Sequence, residues 1–252
     1  MGIISSYFQA YKCFMLENIN LHQILVLDIE TVPQYSSFEE VPGNYQNLWE
    51  CKTRFQRKNG ESPSDFYSRG GIWAEFGKIV CISAGIFSSE KNQMTLRVKS
   101  FFGHEETMIL DTFSSTLSKL RKNLTLCAHN GKEFDFPYLC RRMLINGLPI
   151  PVQLNIHGKK PWEVNHVDTM DLWKFGDYKN YTSLNLLAAV FDIPTPKDDI
   201  DGSEVHQVYW KEKDLERIRT YCEKDVITTS QLLLKFKSLP LLTSGQIVIV
   251  KS

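Results

Sequence analysis

Residues 24–31 of the chain read ILVLDIET, an apolar and largely β-branched run that ends with two acidic residues. A short run of this composition predicts a buried β-strand. Because side chains alternate between the two faces of a strand, Asp28 and Glu30 share one face and Ile29 lies on the other. The stretch therefore predicts a first strand that brings two carboxylates to one place near its end.

The segments that follow this strand indicate the fold class. Residues 78–87 (KIVCISAGIF) and 94–102 (MTLRVKSFF) predict two more strands soon after the first. Helical spacing over residues 105–120 precedes a buried strand at 124–128 and a helix from about 136 to 145. Early neighbouring strands followed by alternating strand and helix predict an α/β fold, in which helices flank a mixed β-sheet.

The organisation of the chain predicts a single domain over residues 23–240. Within it, residues 33–76 are too many for a plain loop and predict a helical insertion. The most regular helical pattern covers residues 215–236, where apolar residues recur at spacings of three and four. Since no linker divides this region, residues 1–22 are interpreted as an N-terminal extension and residues 241–252 as a C-terminal tail.

Composition excludes several classes of protein. The 252 residues include 29 Lys+Arg and 29 Asp+Glu, and 42% are hydrophobic, which excludes a disordered chain. No apolar run approaches the roughly 18 residues of a membrane span, so no membrane partner is expected. Zero net charge argues against coating of nucleic acid by bulk electrostatics but leaves a local basic groove open. Six scattered cysteines without a C-x-x-C pair predict reduced thiols and a cytoplasmic location.

A second acidic motif, HNGKEFD, occupies residues 129–135 between a predicted strand and a predicted helix. Asp135 falls near the start of that helix, where a carboxylate is often only an N-cap. Asn130 and Gly131 equally suit an ordinary turn. The motif on its own therefore leaves a structural and a catalytic interpretation open.

The third motif lies on the predicted helix at residues 215–236. Tyr221 and Asp225 are one turn apart, so their side chains can reach a single site. A chain of this composition contains roughly 0.8 Asp-x-Glu and 0.5 Tyr-x-x-x-Asp pairs by chance. Only the joint order of the three motifs is therefore informative.

In this order, the motifs Asp-x-Glu-Thr, Asn-x-x-x-Phe-Asp and Tyr-x-x-x-Asp resemble those of the DEDD (DnaQ-like) exonuclease superfamily. The tyrosine marks the DEDDy branch, because Thr220 stands where the DEDDh branch has histidine. Residues 75–83 (EFGKIVCIS) and 168–184 also look like stand-alone predicted 3′-5′ exonucleases related to the proofreading domain of family-B DNA polymerases. The resemblance covers about residues 24–236 and implies an RNase H-like fold.

The resemblance also implies a site with two Mg²⁺ or Mn²⁺ ions, which suit carboxylate and water ligands and relieve the repulsion among clustered acids. The implied metal ligands are four carboxylates: Asp28, Glu30, Asp135 and Asp225. Tyr221 would orient the attacking water as a protonated phenol. Thr31, Asn130 and Phe134 are the expected substrate contacts, although core packing explains Phe134 equally well.

The implied activity is 3′-5′ hydrolysis of single-stranded or frayed DNA ends, with release of nucleoside 5′-monophosphates. An exoribonuclease stays open, because nothing in the sequence identifies a group that reads the 2′-hydroxyl. A non-catalytic module that binds strand ends is the third alternative. Basic residues interleaved with aromatic ones can track phosphates and stack bases, as a strand-binding groove requires. The sequence does not predict the oligomeric state.

Overall fold

The computed structural model describes residues 16, 19–58, 60–90, 93–177, 179, 181–195 and 200–250. The predicted N-terminal extension, residues 1–22, thus lies mostly outside the described residues. Among the helices that are described, none is both long enough and apolar enough to cross a lipid bilayer.

A mixed β-sheet forms the centre of the described chain. Its strands are β1 (Ile24–Pro33), β2 (Gly77–Glu90), β3 (Gln93–Phe102), β4 (Thr125–Ala128), β5 (Val167–Asp168) and β6 (Ile247–Val250). Their order across the sheet is β5-β4-β1-β2-β3-β6. The pairs β1–β2 and β2–β3 are antiparallel, whereas the other pairs are parallel. The predicted mixed sheet is confirmed.

Helices cover both faces of this sheet. They are α1 (Gly43–Thr53), α2 (Glu106–Lys119), α3 (Asp135–Ile145), α4 (Thr169–Lys174), α5 (Leu184–Val190), α6 (Val205–Gln207) and α7 (Leu215–Phe236). The helices expected at residues 105–120, about 136–145 and 215–236 correspond to α2, α3 and α7. Strong amphipathic periodicity is a local signal, which explains why the bounds of α7 agree to the residue.

Strand β1 contributes to two separate cores, because its side chains alternate between the faces of the sheet. Leu27 and Ile29 pack in the core that contains α2 and α3. Val26 packs on the opposite face with residues of α7. Asp28 and Glu30 belong to the Val26 side by the same alternation. The strand therefore presents both acids to α7.

The segment between β1 and β2, where the sequence predicts a helical insertion, contains a helix. It consists of α1 and a 3-10 turn at Asp65–Ile72, which pack around the fully buried Trp49. The indole N–H of Trp49 donates to the main-chain oxygen of Pro63 at 2.8 Å. Phe66 and Tyr67 from the 3-10 turn also contact the Trp49 ring. The insertion thus has a small aromatic core of its own.

The C-terminal segment differs from the tail expected at residues 241–252. Strand β6 pairs in parallel with β3 at one edge of the sheet. On α7, the side chain of Gln231 donates to Leu242 O at 2.8 Å and accepts from Leu242 N at 2.9 Å. Residues 247–250 of this segment therefore belong to the sheet. A four-residue strand without alternating polarity carries too little local signal for the sequence to reveal its pairing.

Gly77 lies where the chain returns from the insertion into β2. A Cβ at this position would come within 2.3 Å of the Tyr138 hydroxyl and 2.9 Å of the Gly71 main chain. We expect Gly77→Ala to lower the free energy of unfolding by about 1–3 kcal/mol, as overpacking usually does. Chemical denaturation measures the change.

The matched control for this substitution is Gly103→Ala. A Cβ on Gly103 would meet only the Ile109 side chain, at 3.9 Å, so this variant should unfold like the wild type. Equal denaturation midpoints for the two alanine variants would show that the atoms around Gly77 accommodate a Cβ without loss of stability.

Candidate active site

A cleft of about 710 Å³ opens beside the second half of β1, between α3, α7 and the insertion. Its volume is within the range of small-molecule binding sites. All eight residues that the sequence analysis singled out line this one cleft: Asp28, Glu30, Thr31, Asn130, Phe134, Asp135, Tyr221 and Asp225. The structure therefore brings together residues from β1, from the turn after β4 and from α7.

The two carboxylates of β1 line the cleft from one face of the strand. Glu30 is 7% exposed, and the Oδ2 atom of Asp28 is buried without a hydrogen-bond partner among the described residues. Burial, and then the charges of Asp225 and Asp135, raise the pKa of Asp28 well above its ordinary value. Burial and the charge of Asp28 raise the pKa of Glu30 in the same way. Ionised acids at this place need a compensating positive charge.

Asp135 reaches the cleft from the first position of α3. It is 4% exposed, and its Oδ1 accepts a hydrogen bond from the main-chain N–H of Ile29 on β1 at 3.2 Å. Burial is the main reason why its pKa rises to about 7, and the charges of Asp168 and Asp225 act in the same direction. The carboxylate thus connects α3 to the strand that carries the first two acids.

Tyr221 and Asp225 line the cleft from α7 and are half-buried. Two residues that lie between them in the sequence, Cys222 and Glu223, hold this helix against the sheet. The thiol of Cys222 donates to the main-chain oxygen of Asp28 at 3.4 Å. The Glu223 carboxylate accepts a hydrogen bond from the Ser100 hydroxyl on β3 at 2.7 Å. These contacts hold the helix face with Tyr221 and Asp225 against β1.

Cys222, which lies next to Tyr221 on α7, was not assigned to the site by the sequence analysis. Its sulfur and one carboxylate oxygen each of Asp28 and Glu30 lie within 4.8 Å of one another. Burial raises the pKa of the Cys222 thiol well above its ordinary value. A protonated, buried thiol suits a wall of the site better than a ligand for a hard ion.

The turn after β4 is held by one buried carboxylate. Asp168, 2% exposed, accepts hydrogen bonds from the main-chain N–H groups of Asn130 at 2.9 Å and Lys132 at 3.0 Å. Asn130 has a φ of 64°, a left-handed conformation that asparagine adopts more readily than most residues. Its side-chain oxygen is buried without a partner among the described residues. This leaves an amide acceptor beside the cleft.

The other two expected substrate contacts also have structural partners. The Thr31 hydroxyl donates to the main-chain oxygen of Gly71 at 2.8 Å, so its proton is engaged with the insertion. Phe134 is half-buried, and its ring centroid lies 5.3 Å from that of Tyr138. Part of the Phe134 ring therefore packs in the core while the side chain also lines the cleft.

Further residues line the cleft that the sequence analysis did not assign to a site. From the insertion come Ser68, Arg69, Gly71 and Ile72; the loops before α5 and α6 contribute Tyr181, Gly202 and Ser203, and α6 itself contributes His206. The positions of these residues depend on contacts between distant segments, so no sequence motif marks them. The cleft is therefore wider than the motif residues alone suggest.

The charge balance of the cleft indicates what it can bind. Among the described residues, no Lys, Arg or His side chain pairs with Asp28, Glu30 or Asp135. Lys132, the lysine of the second motif, pairs with Asp171 at 3.4 Å. The oxygen ligands, the orphaned Asp28 Oδ2 and the raised pKa values together fit a hard divalent cation.

The chain resembles known proteins both in its sequence family and in its fold. A family model described as "Predicted 3'-5' exonuclease related to the exonuclease domain of PolB" matches residues 72–245. Among solved structures, the chain is similar to the family B DNA polymerase from the hyperthermophilic archaeon Pyrobaculum calidifontis, with a TM-score of 0.51 and 16% sequence identity. The match covers 84% of this chain and 24% of the polymerase chain, so this chain corresponds to about a quarter of that protein. No curated protein sequence matches.

The polymerase match concerns the fold, since the identity is low. It agrees with the mixed sheet flanked by helices and confirms the expected RNase H-like, single-domain architecture. The family match covers the strands β2 to β5, both later motifs and helix α7. Residues 24–31, which carry the first motif, and most of the insertion precede the matched region.

Proposed function

Because the chain belongs to the family of predicted 3′-5′ exonucleases related to the exonuclease domain of PolB, we propose that it hydrolyses the terminal phosphodiester bond of single-stranded or frayed DNA 3′ ends. The products would be nucleoside 5′-monophosphates. The observation that supports the proposal most directly is the convergence of four carboxylates and a tyrosine, from three distant motifs, on one cleft. Burial of Asp28, Glu30 and Asp135, with which no Lys, Arg or His side chain of the described residues pairs, supports a dependence on divalent cations.

Two Mg²⁺ or Mn²⁺ ions fit the ligand set. Asp28, Glu30 and Asp225 would hold one ion, and Asp28 and Asp135 the other. When bound, such ions lower the pKa of an attacking water and neutralise charge on the departing 3′ oxygen. Oxygen ligands favour these hard ions, and a full set of four carboxylates leaves room for water and for phosphate oxygens around them.

The roles of the protein groups follow from their places in the cleft. Tyr221 lies one helical turn from Asp225, so its hydroxyl can hold a water next to the acids. An ordinary phenol stays protonated at neutral pH, so Tyr221 would orient the water and leave the proton to another acceptor. Asn130, with its unpartnered side-chain oxygen, and Phe134 would contact the terminal nucleotide.

The direct test is the degradation of an oligonucleotide that carries its label at the 5′ end. We expect wild-type protein with Mg²⁺ or Mn²⁺ to produce a ladder that shortens from the 3′ end, and EDTA to prevent it. The variant Asp225→Asn should leave the oligonucleotide intact. A labelled RNA of the same sequence, run beside the DNA, separates the deoxyribonuclease from the exoribonuclease.

The results that contradict the proposal are equally specific. A wild-type protein that shortens neither strand in either metal would leave only a module that binds strand ends. Equal shortening by wild type and Asp225→Asn would assign the activity to a contaminant. Faster degradation of RNA than of DNA would keep the exonuclease and change its substrate.

A further inference from the structure

The cleft has a wall that the proposed metal chemistry does not use. It is formed by the 3-10 turn at Asp65–Ile72 of the insertion, which places Ser68, Arg69 and Ile72 along the cleft. These three side chains are exposed, so they face whatever occupies the cleft. Ser68 and Arg69 precede the region that matches the family, and Ile72 is its first residue.

This wall is fixed to the strand that carries the acids. The main-chain oxygen of Gly71 accepts hydrogen bonds from the hydroxyls of Thr31 and Tyr138, both at 2.8 Å. A Cβ on Gly71 would come within 3.1 Å of the main chain of Thr31 and Val32, so the turn lies directly against β1. The distance between the wall and the carboxylates is therefore held by packing and hydrogen bonds.

Arg69 is the basic residue of this wall. Its guanidinium lies 5.1 Å from the ring centroid of Phe66, which is only 3% exposed in the aromatic core of the insertion. Among the described residues, no carboxylate pairs with Arg69, in contrast to Arg97, Arg217 and Arg219. The guanidinium thus lies against the Phe66 ring, and its N–H groups stay available to an anion.

Because the cleft is acidic, a strand that binds there needs a basic side chain to hold its phosphates. The floor carries four acids, so phosphates that are not neutralised by a bound metal are repelled as a strand enters. A guanidinium can hold one such phosphate with two parallel hydrogen bonds. Ile72 and Tyr181, which are 45% and 68% exposed, add apolar surface for bases or sugars in the same cleft.

We infer that Arg69 binds a backbone phosphate of the single-stranded nucleic acid upstream of the scissile bond, and that the insertion thereby makes the cleft prefer a strand to an isolated nucleotide ester. This inference rests on the proposed function of the cleft. Arg69 is a specificity-determining residue in this view, because it touches a part of the substrate that does not react.

The experiment compares wild type with Arg69→Ala and Arg69→Lys on two substrates. The first is a single-stranded oligothymidylate, and the second is the p-nitrophenyl ester of thymidine 5′-monophosphate, which has no upstream phosphate. We expect Arg69→Ala to raise KM for the oligonucleotide roughly tenfold, the size of one lost charged hydrogen bond, with kcat unchanged. Kinetics on the ester should stay as in wild type, and Arg69→Lys should recover part of the loss.

Binding gives a second readout that does not depend on turnover. The affinity for a fluorescent oligothymidylate is measured by anisotropy in Ca²⁺ over a range of salt concentrations. Removing one phosphate contact should flatten the plot of log affinity against log salt by about 0.7. The matched control is Arg121→Ala, which removes an exposed arginine outside the cleft and should leave both KM and the salt slope unchanged.

The outcomes separate the inference from the proposed function. An unchanged oligonucleotide KM and salt slope in Arg69→Ala, equal damage on the ester, or the same losses in Arg121→Ala would each overturn the inference. A wild type that binds the strand through Arg69 but cleaves neither substrate would support the phosphate contact and refute the exonuclease. Melting temperatures close to wild type verify that the exposed substitution leaves the fold intact.

Discussion

Asp28→Asn should abolish exonuclease activity and, at the same time, raise the melting temperature of the metal-free protein. The activity falls because Asp28 is central to the acid cluster, and a lost metal contact removes several kcal/mol of transition-state stabilisation, or roughly 10³-fold in rate. The stability rises because Asp28 Oδ2 is buried without a partner and faces the charges of Asp225 and Asp135. A gain of about 1 kcal/mol corresponds to about 2–4 °C for a domain of this size.

The measurements for this variant are the labelled-oligonucleotide assay and thermal melting in EDTA and in millimolar Mn²⁺. Ions that bind only the folded site stabilise it by mass action, so Mn²⁺ should raise the melting temperature of wild type and leave Asp28→Asn nearly unchanged. Asp111→Asn, an exposed acid on α2 outside the cleft, is the control and should behave as wild type in both assays. Full activity in Asp28→Asn, or a lower melting temperature in EDTA, would contradict the proposed role.

Arg142→Ala should cause the largest loss of stability. Arg142 and Glu106 form a buried ion pair with side chains 4% and 7% exposed, which joins α3 to α2. The guanidinium also donates to Ala74 O at 2.8 Å, and the Glu106 carboxylate accepts from Ile79 N on β2 at 2.7 Å. Removing the arginine leaves a buried carboxylate without its counter-charge, which costs about 3–5 kcal/mol. The melting temperature should fall by roughly 10 °C or more.

Two further variants identify the cause of that loss. Arg141→Ala removes the exposed neighbouring arginine and should be close to neutral. The double variant Arg142→Ala, Glu106→Gln removes the uncompensated charge while the glutamine oxygen can still accept the Ile79 N–H. It should therefore be more stable than Arg142→Ala alone. A double variant that is less stable still would mean that cavity formation, and not the buried charge, dominates.

Some elements of the fold are determined by the local sequence alone. The bounds of α7 and the sharing of one face by Asp28 and Glu30 follow from periodicity, which a short stretch of chain carries within itself. The helical insertion can also be predicted from the sequence, because a long aromatic segment between two strands must form some compact structure. The short strand β6 could not be predicted from the sequence, because its pairing depends on the partner strand β3 and not on its own four residues.

For the site as well, the sequence determines some features and the tertiary structure determines others. The chain's own residues determined which acids it carries, in what order, and that a strand, a turn and a helix present them. That these acids converge in a cleft, that the Cys222 thiol contacts the main chain of Asp28, and that Arg69 lines the same cleft were decided by the tertiary structure alone. The contacts that place the insertion join residues 40 and 67 positions apart, Thr31 and Tyr138 with Gly71. Such contacts form only when both segments are folded, and for that reason no local pattern in the sequence encodes them.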